Sequence, residues 1–248
     1  ENPMKYLCTL TAILATLFLP SLRAEETTQP ETVSFAVGTD IHKDIMHDAD
    51  QRLQAFVDAA VQSKVDFIIQ LGDFCQPKPS NQGFLKIWNS FPGERHHVLG
   101  NHDMDGGFKR EQAVAFLGMP TRYYSFDVRG WHFVVLDGND PDVPKKPGYA
   151  SRIGPEQLAW LKEDLKKTGN PTIVFSHQGA DAALRNAAEV REIFEEANRE
   201  YGRTKVIAAF CGHRHLDLET TINGIHYLQV NSMSDFWMGD KFACVRYG

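Results

Sequence analysis

The sequence predicts an α/β protein in which a parallel βαβαβ unit precedes antiparallel hairpins. Over the first half of the expected mature chain, apolar runs of strand length alternate with helix-like segments, which favours parallel strands joined by right-handed crossovers. Further along, tight-turn residue pairs separate strand-like segments, which is typical of antiparallel pairing. We therefore expect a mixture of parallel and antiparallel strands.

Length and charge narrow the function classes. The 248 residues suffice for one large domain with a full core, and 42% of them are hydrophobic. The formal net charge is −6, and the charges are scattered along the chain. This argues against a nucleic-acid backbone or an anionic membrane as the main partner. We expect no specific nucleic-acid partner, and the oligomeric state remains open.

The N-terminal segment has the organisation of a secretory signal peptide. Met4 and Lys5 open a short positive region, residues 7–19 are almost wholly apolar, and residues 20–24 contain a proline and end on Ala24. The apolar stretch is shorter than the roughly 20 residues that span a bilayer, so a signal is favoured over a retained anchor. We expect residues 1–24 to be leader and signal peptide, with export to the periplasm or the exterior. No stable membrane span would remain after cleavage.

Residues 25–32 are polar, include a proline and are predicted to be a linker, so the domain should cover residues 33–248. Its first strand is predicted at 33–38, the second at 65–71 and the third at 95–99. The first crossover helix should contain Leu53 and Val57 and could be capped by Asp48 or Asp50. A shorter helix is predicted at 82–91.

The second half is predicted to begin with one hairpin and to contain another near its end. The first hairpin turns at Arg129-Gly130 and the second at Asn223-Gly224. Pro155 should start a helix that ends before Gly169. The remaining predictions are strands at 172–175, 205–210 and 242–247 and a helix at 186–201.

Five short polar motifs each follow a strand-like apolar run. In an open α/β sheet the ends of successive parallel strands open into one crevice, so motifs that are distant in sequence can converge. Any one of them could equally be an ordinary strand-end cap, but five in the same placement indicate a site. The motifs are Asp40-Ile41-His42, Gly72-Asp73, Gly100-Asn101-His102-Asp103, Ser176-His177 and Gly212-His213-Arg214-His215.

These motifs supply the donors of a transition-metal site. Carboxylate, imidazole and amide oxygen together suit Mn, Fe, Zn or Co. The candidates are too many for one tetrahedral ion but fit two ions that share Asp73, an arrangement used in phosphoryl displacement. The candidate ligands are Asp40, His42, Asp73, Asn101, His177, His213 and His215. Cys75 and Cys211 adjoin motifs but lack CxxC spacing, so we predict that they are small core residues.

The ordered series D-x-H, G-D, G-N-H-D, H and G-H-x-H resembles the calcineurin-like metallophosphoesterase family, and it spans Asp40 to His215. The resemblance implies a four-layer αββα sandwich with two mixed β-sheets. It also implies a phosphoesterase with two divalent or trivalent metal ions, Mn, Fe or Zn, in which a metal-bound hydroxide or water attacks phosphorus.

The resemblance further implies a role for each motif residue. Asp40, His42 and His215 would hold the first metal, Asn101, His177 and His213 the second, and Asp73 would bridge the two. His102 would bind a substrate oxygen or protonate the leaving group, and Asp103 would support His102. Purple acid phosphatases, a branch of the family, carry a tyrosine at the position of Gln76, so the tyrosinate–iron chromophore is not expected here.

The substrate is expected to be a small-molecule phosphate ester, with a preference for phosphodiesters or nucleotide-like compounds. Phosphomonoesters and nucleotide-diphosphate compounds are alternatives for the same site. A different class remains open as well, namely a non-catalytic metal-binding scaffold on the same fold. Such a scaffold would be recognised by missing ligands, and no ligand of the series is missing.

Overall fold

The computed structural model describes residues 31–235. The first half of this range forms a three-stranded sheet of order β1-β2-β3 in which both pairings are parallel. The prediction of a parallel βαβαβ unit is therefore confirmed. Its elements are β1 (Phe35–Gly38), α1 (Ala49–Ser63), β2 (Phe67–Gln70), α2 (Gln82–Asn89) and β3 (Glu94–His97).

The second half forms a six-stranded sheet of order β4-β5-β6-β7-β9-β8. The pairs β4·β5 and β8·β9 are antiparallel, and the other three pairs of this sheet are parallel. Among the described residues, the six-stranded sheet is therefore mixed and the three-stranded sheet is parallel. Its elements are β4 (Tyr124–Val128), β5 (Trp131–Val135), α4 (Pro155–Lys167), β6 (Thr172–Ser176), α5 (Ala187–Tyr201), β7 (Val206–Cys211), β8 (Leu218–Ile222) and β9 (Ile225–Gln229).

The strands are buried on both faces because the two sheets pack on each other and carry helices outside. Along β2, Phe67 and Ile69 lie in the core between the sheets, whereas Ile68 packs toward α1 and α2. Along β5, Phe133 lies between the sheets and Val134 packs toward α4 and α5. This alternation follows from the two-residue period of a strand. The result is the expected four-layer αββα sandwich.

Both predicted hairpin turns are present. Arg129 and Gly130 have φ values of 50° and 77°, and Asn223 and Gly224 have 51° and 81°. Two successive residues with positive φ match the right-handed twist of the strands that they join. These turns place the β4·β5 and β8·β9 pairs at opposite edges of the six-stranded sheet.

Other boundaries differ from expectation. A helix α3 (Arg110–Leu117) occupies a segment for which no element was predicted, and it ends at Gly118, where φ is 69°. Asp48 precedes α1 but makes no capping hydrogen bond, because its carboxylate accepts from Arg52 at 2.7 Å instead. The predicted signal segment, residues 25–30 of the linker and the predicted strand at 242–247 lie outside the described residues. Within residues 31–235, no helix is both long and apolar enough to cross a membrane.

Candidate metal centre

All five polar motifs lie at one edge of the sandwich. Each follows the carboxyl end of a parallel strand, β1, β2, β3, β6 or β7, and backbone hydrogen bonds join the loops to one another. The amide of Asp40 donates to Gly72 O at 3.0 Å, and the amide of Gly212 donates to His177 O at 3.1 Å. The convergence expected from the strand-end placement is therefore observed.

The loops bring six of the seven candidate ligands into two groups of three. Asp40, His42 and His215 form one group, and Asp73, His177 and His213 form the other. Within each group, the ligand atoms lie within 4.8 Å of one another. Each group has one carboxylate and two imidazoles, a donor set suited to a transition-metal ion.

Asp73 lies between the two groups. Its Oδ2 is 3.1 Å from His177 Nε2 in its own group and 3.9 Å from His42 Nε2 in the other. Its other oxygen, Oδ1, accepts the backbone amide of His102 at 2.8 Å. Gly100 makes this approach possible, because a Cβ at that position would lie 2.2 Å from Asp73 Oδ1. Asp73 is therefore placed where one carboxylate could contact two ions.

Asn101 supplies an independent indication of a cation site. Its side chain is 4% exposed, and its Oδ1 has no hydrogen-bond partner. A buried carbonyl oxygen without a partner costs about 1–3 kcal/mol, so such atoms are rare unless they serve a ligand. The orphaned oxygen, together with the two carboxylate–imidazole groups, fits a site for two metal ions.

The backbone at the ligands is held in an unusual conformation. Five of the candidate ligands have positive φ although none is glycine, namely Asp40 (54°), His42 (50°), Asp73 (52°), His213 (70°) and His215 (51°). A non-glycine residue in a sparsely populated region costs about 1–3 kcal/mol and persists where surrounding structure enforces it. The backbone conformation that directs these side chains into the centre therefore lowers the stability of the folded chain.

Hydrogen bonds behind the ligands fix their orientation. Leu71 O accepts from His177 Nδ1 at 2.8 Å, which leaves Nε2 facing Asp73. The Thr39 hydroxyl donates to Asp40 Oδ2 at 2.6 Å, so Asp40 Oδ1 faces the imidazole of His215 at 3.1 Å. Partners of this kind set the tautomer and direction of a ligand. Neither Leu71 nor Thr39 was singled out in the sequence.

The protonation states of the histidines at the centre favour binding of a cation. Burial lowers the pKa of His42 to about 4, and burial together with His177 lowers the pKa of His213 to about 4. Burial opposes charge on His177 as well, yet the carboxylates of Asp73 and Asp40 raise its pKa to about 10. The centre thus holds neutral imidazoles beside carboxylates and takes up one proton where positive charge is needed. Metal ions compete with such protons for the same atoms.

His102 lies beside these groups, and Asp103, which was expected to support it, accepts hydrogen bonds from backbone amides. The hydrogen bonds of Asp103 come from the backbone amides of Phe74, Cys75 and Gly100, at 2.7, 3.1 and 2.8 Å. Asp103 therefore ties two loops together. The carboxylate that contacts His102 is Asp105, whose Oδ2 is 2.6 Å from His102 Nδ1.

A model of the family described as calcineurin-like phosphoesterase matches residues 33–217 of this sequence. The chain belongs to the calcineurin-like phosphoesterase family. Family membership identifies it as a metal-dependent phosphoester hydrolase. Asp40 and His215, the outermost ligands of the motif series, both lie inside the matched region.

Solved structures share the fold at low sequence identity. A dimetal phosphatase from Danio rerio has a TM-score of 0.65 at 17% identity, covering 83% of this chain and 88% of that one. GAP50, described as the anchor in the inner membrane complex of Plasmodium, has 0.56 at 19%, covering 82% and 72%. A putative 5′-nucleotidase from Staphylococcus aureus has 0.53 at 15%, covering 81% and 49%. None of the curated proteins matches this sequence.

A cleft of about 190 Å³ opens beside the metal centre of this phosphoesterase. His42, Asp73 and His102 form the wall toward the centre, and Ile45, Phe74 and Gln76 are among the other lining residues. Gln76 is the residue that replaces the tyrosine of the purple branch. The lining is chemically mixed, because Asp44, Asp103 and Asp105 line the cleft together with these apolar residues.

Two basic residues from segments near the centre, Arg110 and Lys78, are engaged in ion pairs. Arg110 contacts both Asp137 and Asp140, at 3.3 and 2.9 Å, and Lys78 contacts Asp44 at 3.0 Å. Neither lysine nor arginine is among the described residues that line the cleft. The thiols of Cys75 and Cys211 are buried and not disulfide-bonded, and burial raises the pKa of both. They are core residues, as predicted.

Proposed function

We propose that this protein is an exported two-metal phosphoesterase that cleaves phosphodiesters or nucleotide-like esters. The first metal would be held by Asp40, His42 and His215, the second by Asn101, His177 and His213, with Asp73 shared between them. Mn, Fe and Zn are the metals whose ligand preferences suit these donors. Bound here, the two ions would activate water and neutralise the phosphoryl oxygens.

The observation that carries the proposal is the pair of ligand groups at Asp73. Both groups are buried except for the half-buried His213, they share one carboxylate at their boundary, and the unpartnered Asn101 Oδ1 lies on the same set of loops. A site for a single ion would not need two such groups.

The chain itself performs the remaining steps. The ligand loops hold the ester beside His102, which gives a proton to the leaving oxygen as its bond to phosphorus breaks. An oxygen of water becomes bonded to phosphorus and the water proton passes to solvent, so a diester gives an alcohol and a phosphate monoester. His102 is then reprotonated from solvent. Proton donation of this kind contributes roughly 10²–10⁴-fold in rate.

The cleft favours a diester over a doubly charged substrate. A monoester dianion or a second phosphate group is usually bound by arginine or lysine. The described cleft lining has neither residue, and the apolar side chain that it exposes is that of Ile45. An apolar or planar leaving group on a singly charged phosphate suits that surface.

The scaffold alternative is favoured by one likeness, because GAP50 is described as an anchor. The complete donor set of the present chain supports catalysis instead. Rates with Mn²⁺ on a monoester, a diester, a cyclic nucleotide and a nucleotide-diphosphate sugar decide among these functions. We expect the diester or the cyclic nucleotide to be fastest. Absence of turnover on all four by protein that carries two ions per chain would establish the scaffold.

Export has its own test. If residues 4–24 act as a signal peptide, protein recovered outside the cytoplasm should begin near Glu25. N-terminal sequencing of that fraction gives the cleavage site. Recovery of the intact N-terminus in a membrane fraction would support a retained anchor instead.

A further inference from the structure

Two residues outside the metal ligands contact the imidazole of His102. Asp105 Oδ2 lies 2.6 Å from His102 Nδ1, and the hydroxyl of Tyr149 lies 3.2 Å from the same nitrogen. The Tyr149 hydroxyl also donates to Asp105 Oδ1 at 2.9 Å. The three side chains form a closed triangle in which each member contacts the other two.

The donors and acceptors of this triangle determine which imidazole nitrogen faces the substrate. An ionised carboxylate only accepts, so His102 Nδ1 donates to Asp105 and the tyrosine hydroxyl donates to the second carboxylate oxygen. Nδ1 is thereby committed to Asp105, and Nε2 is the nitrogen that exchanges a proton with a leaving oxygen. The tyrosine ring packs at 4.8 Å from the imidazole, centroid to centroid, which restricts rotation about the side-chain bonds.

Tyr149 reaches His102 from a loop that is distant in sequence. The loop follows β5 and is fastened by Arg185, which pairs with Asp142 and donates to the carbonyl oxygens of Pro147 and Tyr149, both at 3.3 Å. Tyr149 is 48% exposed, so burial of its ring does not account for the position of the side chain. The hydroxyl contacts and the backbone anchor account for it.

We propose that Asp105 and Tyr149 are positioning residues for His102, and that the loop carrying Tyr149 completes the leaving-group side of the site. The proposal rests on the proposed phosphoesterase function. Asp105 aligns the imidazole through Nδ1, and Tyr149 holds Asp105 in the rotamer that does so. A 3₁₀ turn begins at His102 and its helical backbone is interrupted at Asp105. Residues three apart in such a turn lie above one another, which explains why Asp105 rather than Asp103 reaches His102.

A double-mutant cycle tests whether Tyr149 acts through His102. The substrate is a phenyl ester, whose leaving group needs protonation yet leaves residual turnover in His102→Ala. Tyr149→Phe should lower kcat about 3–10-fold with little change in KM, and Asp105→Asn roughly 10–100-fold. In the His102→Ala background, each substitution should change kcat by less than about 2-fold. Equal penalties in both backgrounds would overturn the proposal.

Matched controls exist elsewhere in the chain. Asp127 makes a contact of the same kind, 2.7 Å from His132 Nδ1, and the Tyr201 hydroxyl donates to Gly169 O at 2.7 Å. Asp127→Asn and Tyr201→Phe therefore remove equivalent hydrogen bonds away from the centre. Neither should change the rate on the phenyl ester by more than about 2-fold.

A second readout needs no activity. The ¹⁵N shifts of His102 in metal-free protein should show a protonated Nδ1 in the wild type and a mixture of tautomers in Asp105→Asn. Asp127→Asn should leave the His102 signals unchanged. An unaltered tautomer in Asp105→Asn would overturn the positioning role. If the wild type with two ions hydrolyses no ester, the proposed function fails, and the shifts still decide whether Asp105 orients His102.

Discussion

The strand-end loops at Asp73 and the hairpin at His132 both place histidine against carboxylate. His132 lies 2.7 Å from Asp127 and 2.9 Å from Asp164, and both of its ring nitrogens are paired. Its backbone belongs to the regular strand β5. At Asp73 the backbone has φ of 52°, and a second carboxylate–imidazole group adjoins the first.

The difference between these regions separates a structural ion pair from a binding centre. Hydrogen-bond length does not distinguish them, because both regions have contacts near 3 Å. Left-handed backbone at the paired residues themselves, several neutral imidazoles and the orphaned oxygen of Asn101 distinguish the first region, whereas the positive φ values of the second lie at its turn residues Arg129 and Gly130. These features are costly in an isolated protein and become favourable when a cation binds.

Removal of a carboxylate from each region should give the largest difference in metal content and activity between the two regions. Asp73→Ala is expected to lower metal content and to reduce activity on every ester by roughly 10³-fold or more, since the ions supply several kcal/mol of charge stabilisation. Asp164→Ala removes the corresponding carboxylate beside His132 and should leave both quantities near wild type. Elemental analysis and steady-state rates measure them. Full metal occupancy in Asp73→Ala would contradict the shared-ligand assignment.

Removal of a histidine should separate proton donation from metal binding. His102→Ala is expected to retain both ions and to lose roughly 10²–10⁴-fold on an alkyl ester, with a much smaller loss on a nitrophenyl ester that needs little protonation. His132→Ala serves as the control and should lose little on either ester. A fall in metal content with His102→Ala would make that histidine a ligand. Equal losses on both esters would mean that it only orients the phosphoryl group.

Metal binding should stabilise the fold through the first region alone. With free Mn²⁺ at about 100 times its dissociation constant, the gain is about 2.7 kcal/mol per site, which corresponds to a rise in Tm of roughly 5–10 °C. Thermal unfolding with and without Mn²⁺ measures this gain. Asp164→Ala should keep the rise and Asp73→Ala should lose most of it. The same rise in both variants would place the bound ion elsewhere.

The smallest expected effect is the pH dependence of stability at His132. Burial disfavours charge on this ring, but hydrogen bonds from the ring to Asp164 and Asp127 raise the pKa of His132 above its ordinary value. Because the folded pKa is the higher one, the stabilisation is complete below about pH 6.5 and is lost as pH rises through the folded value.

The stabilisation that the charged His132 contributes is on the order of 1 kcal/mol, since Asp127 is largely exposed and screened by solvent. Urea titrations at several pH values should give a steeper decline above pH 6.5 for wild type than for His132→Gln. A decline of equal slope in both proteins would show that the His132 pair has no part in it.

Much of the fold could be predicted from local pattern. The apolar runs at β1, β2, β6 and β7 are short and nearly continuous, so period and length identified them as buried strands. The turns at Arg129-Gly130 and Asn223-Gly224 could be predicted because positive φ restricts which residues fit. Helix α3 was missed since it has only two buried residues, Ala113 and Leu117, and hence a weak apolar face.

The sequence by itself determined which side chains meet at the centre. A polar residue directly after a parallel strand must emerge at the carboxyl edge of the sheet, and this rule needs no knowledge of the intervening chain. It placed Asp40, Asp73 and His177 together although they are far apart in sequence. Their assignment as ligands of two ions remains a prediction until metal content is measured.

Only the tertiary structure decided what supports His102. Asp103 and Asp105 are both close to it in sequence, and the course of the 3₁₀ turn sends Asp103 toward backbone amides and Asp105 toward the imidazole. Tyr149 arrives on a loop held by Arg185, and no local pattern encodes such a contact. Strand ends are constrained by the sheet, whereas the reach of a loop depends on every contact that anchors it. This is why the convergence of the strand-end residues could be predicted and the contacts that support His102 could not.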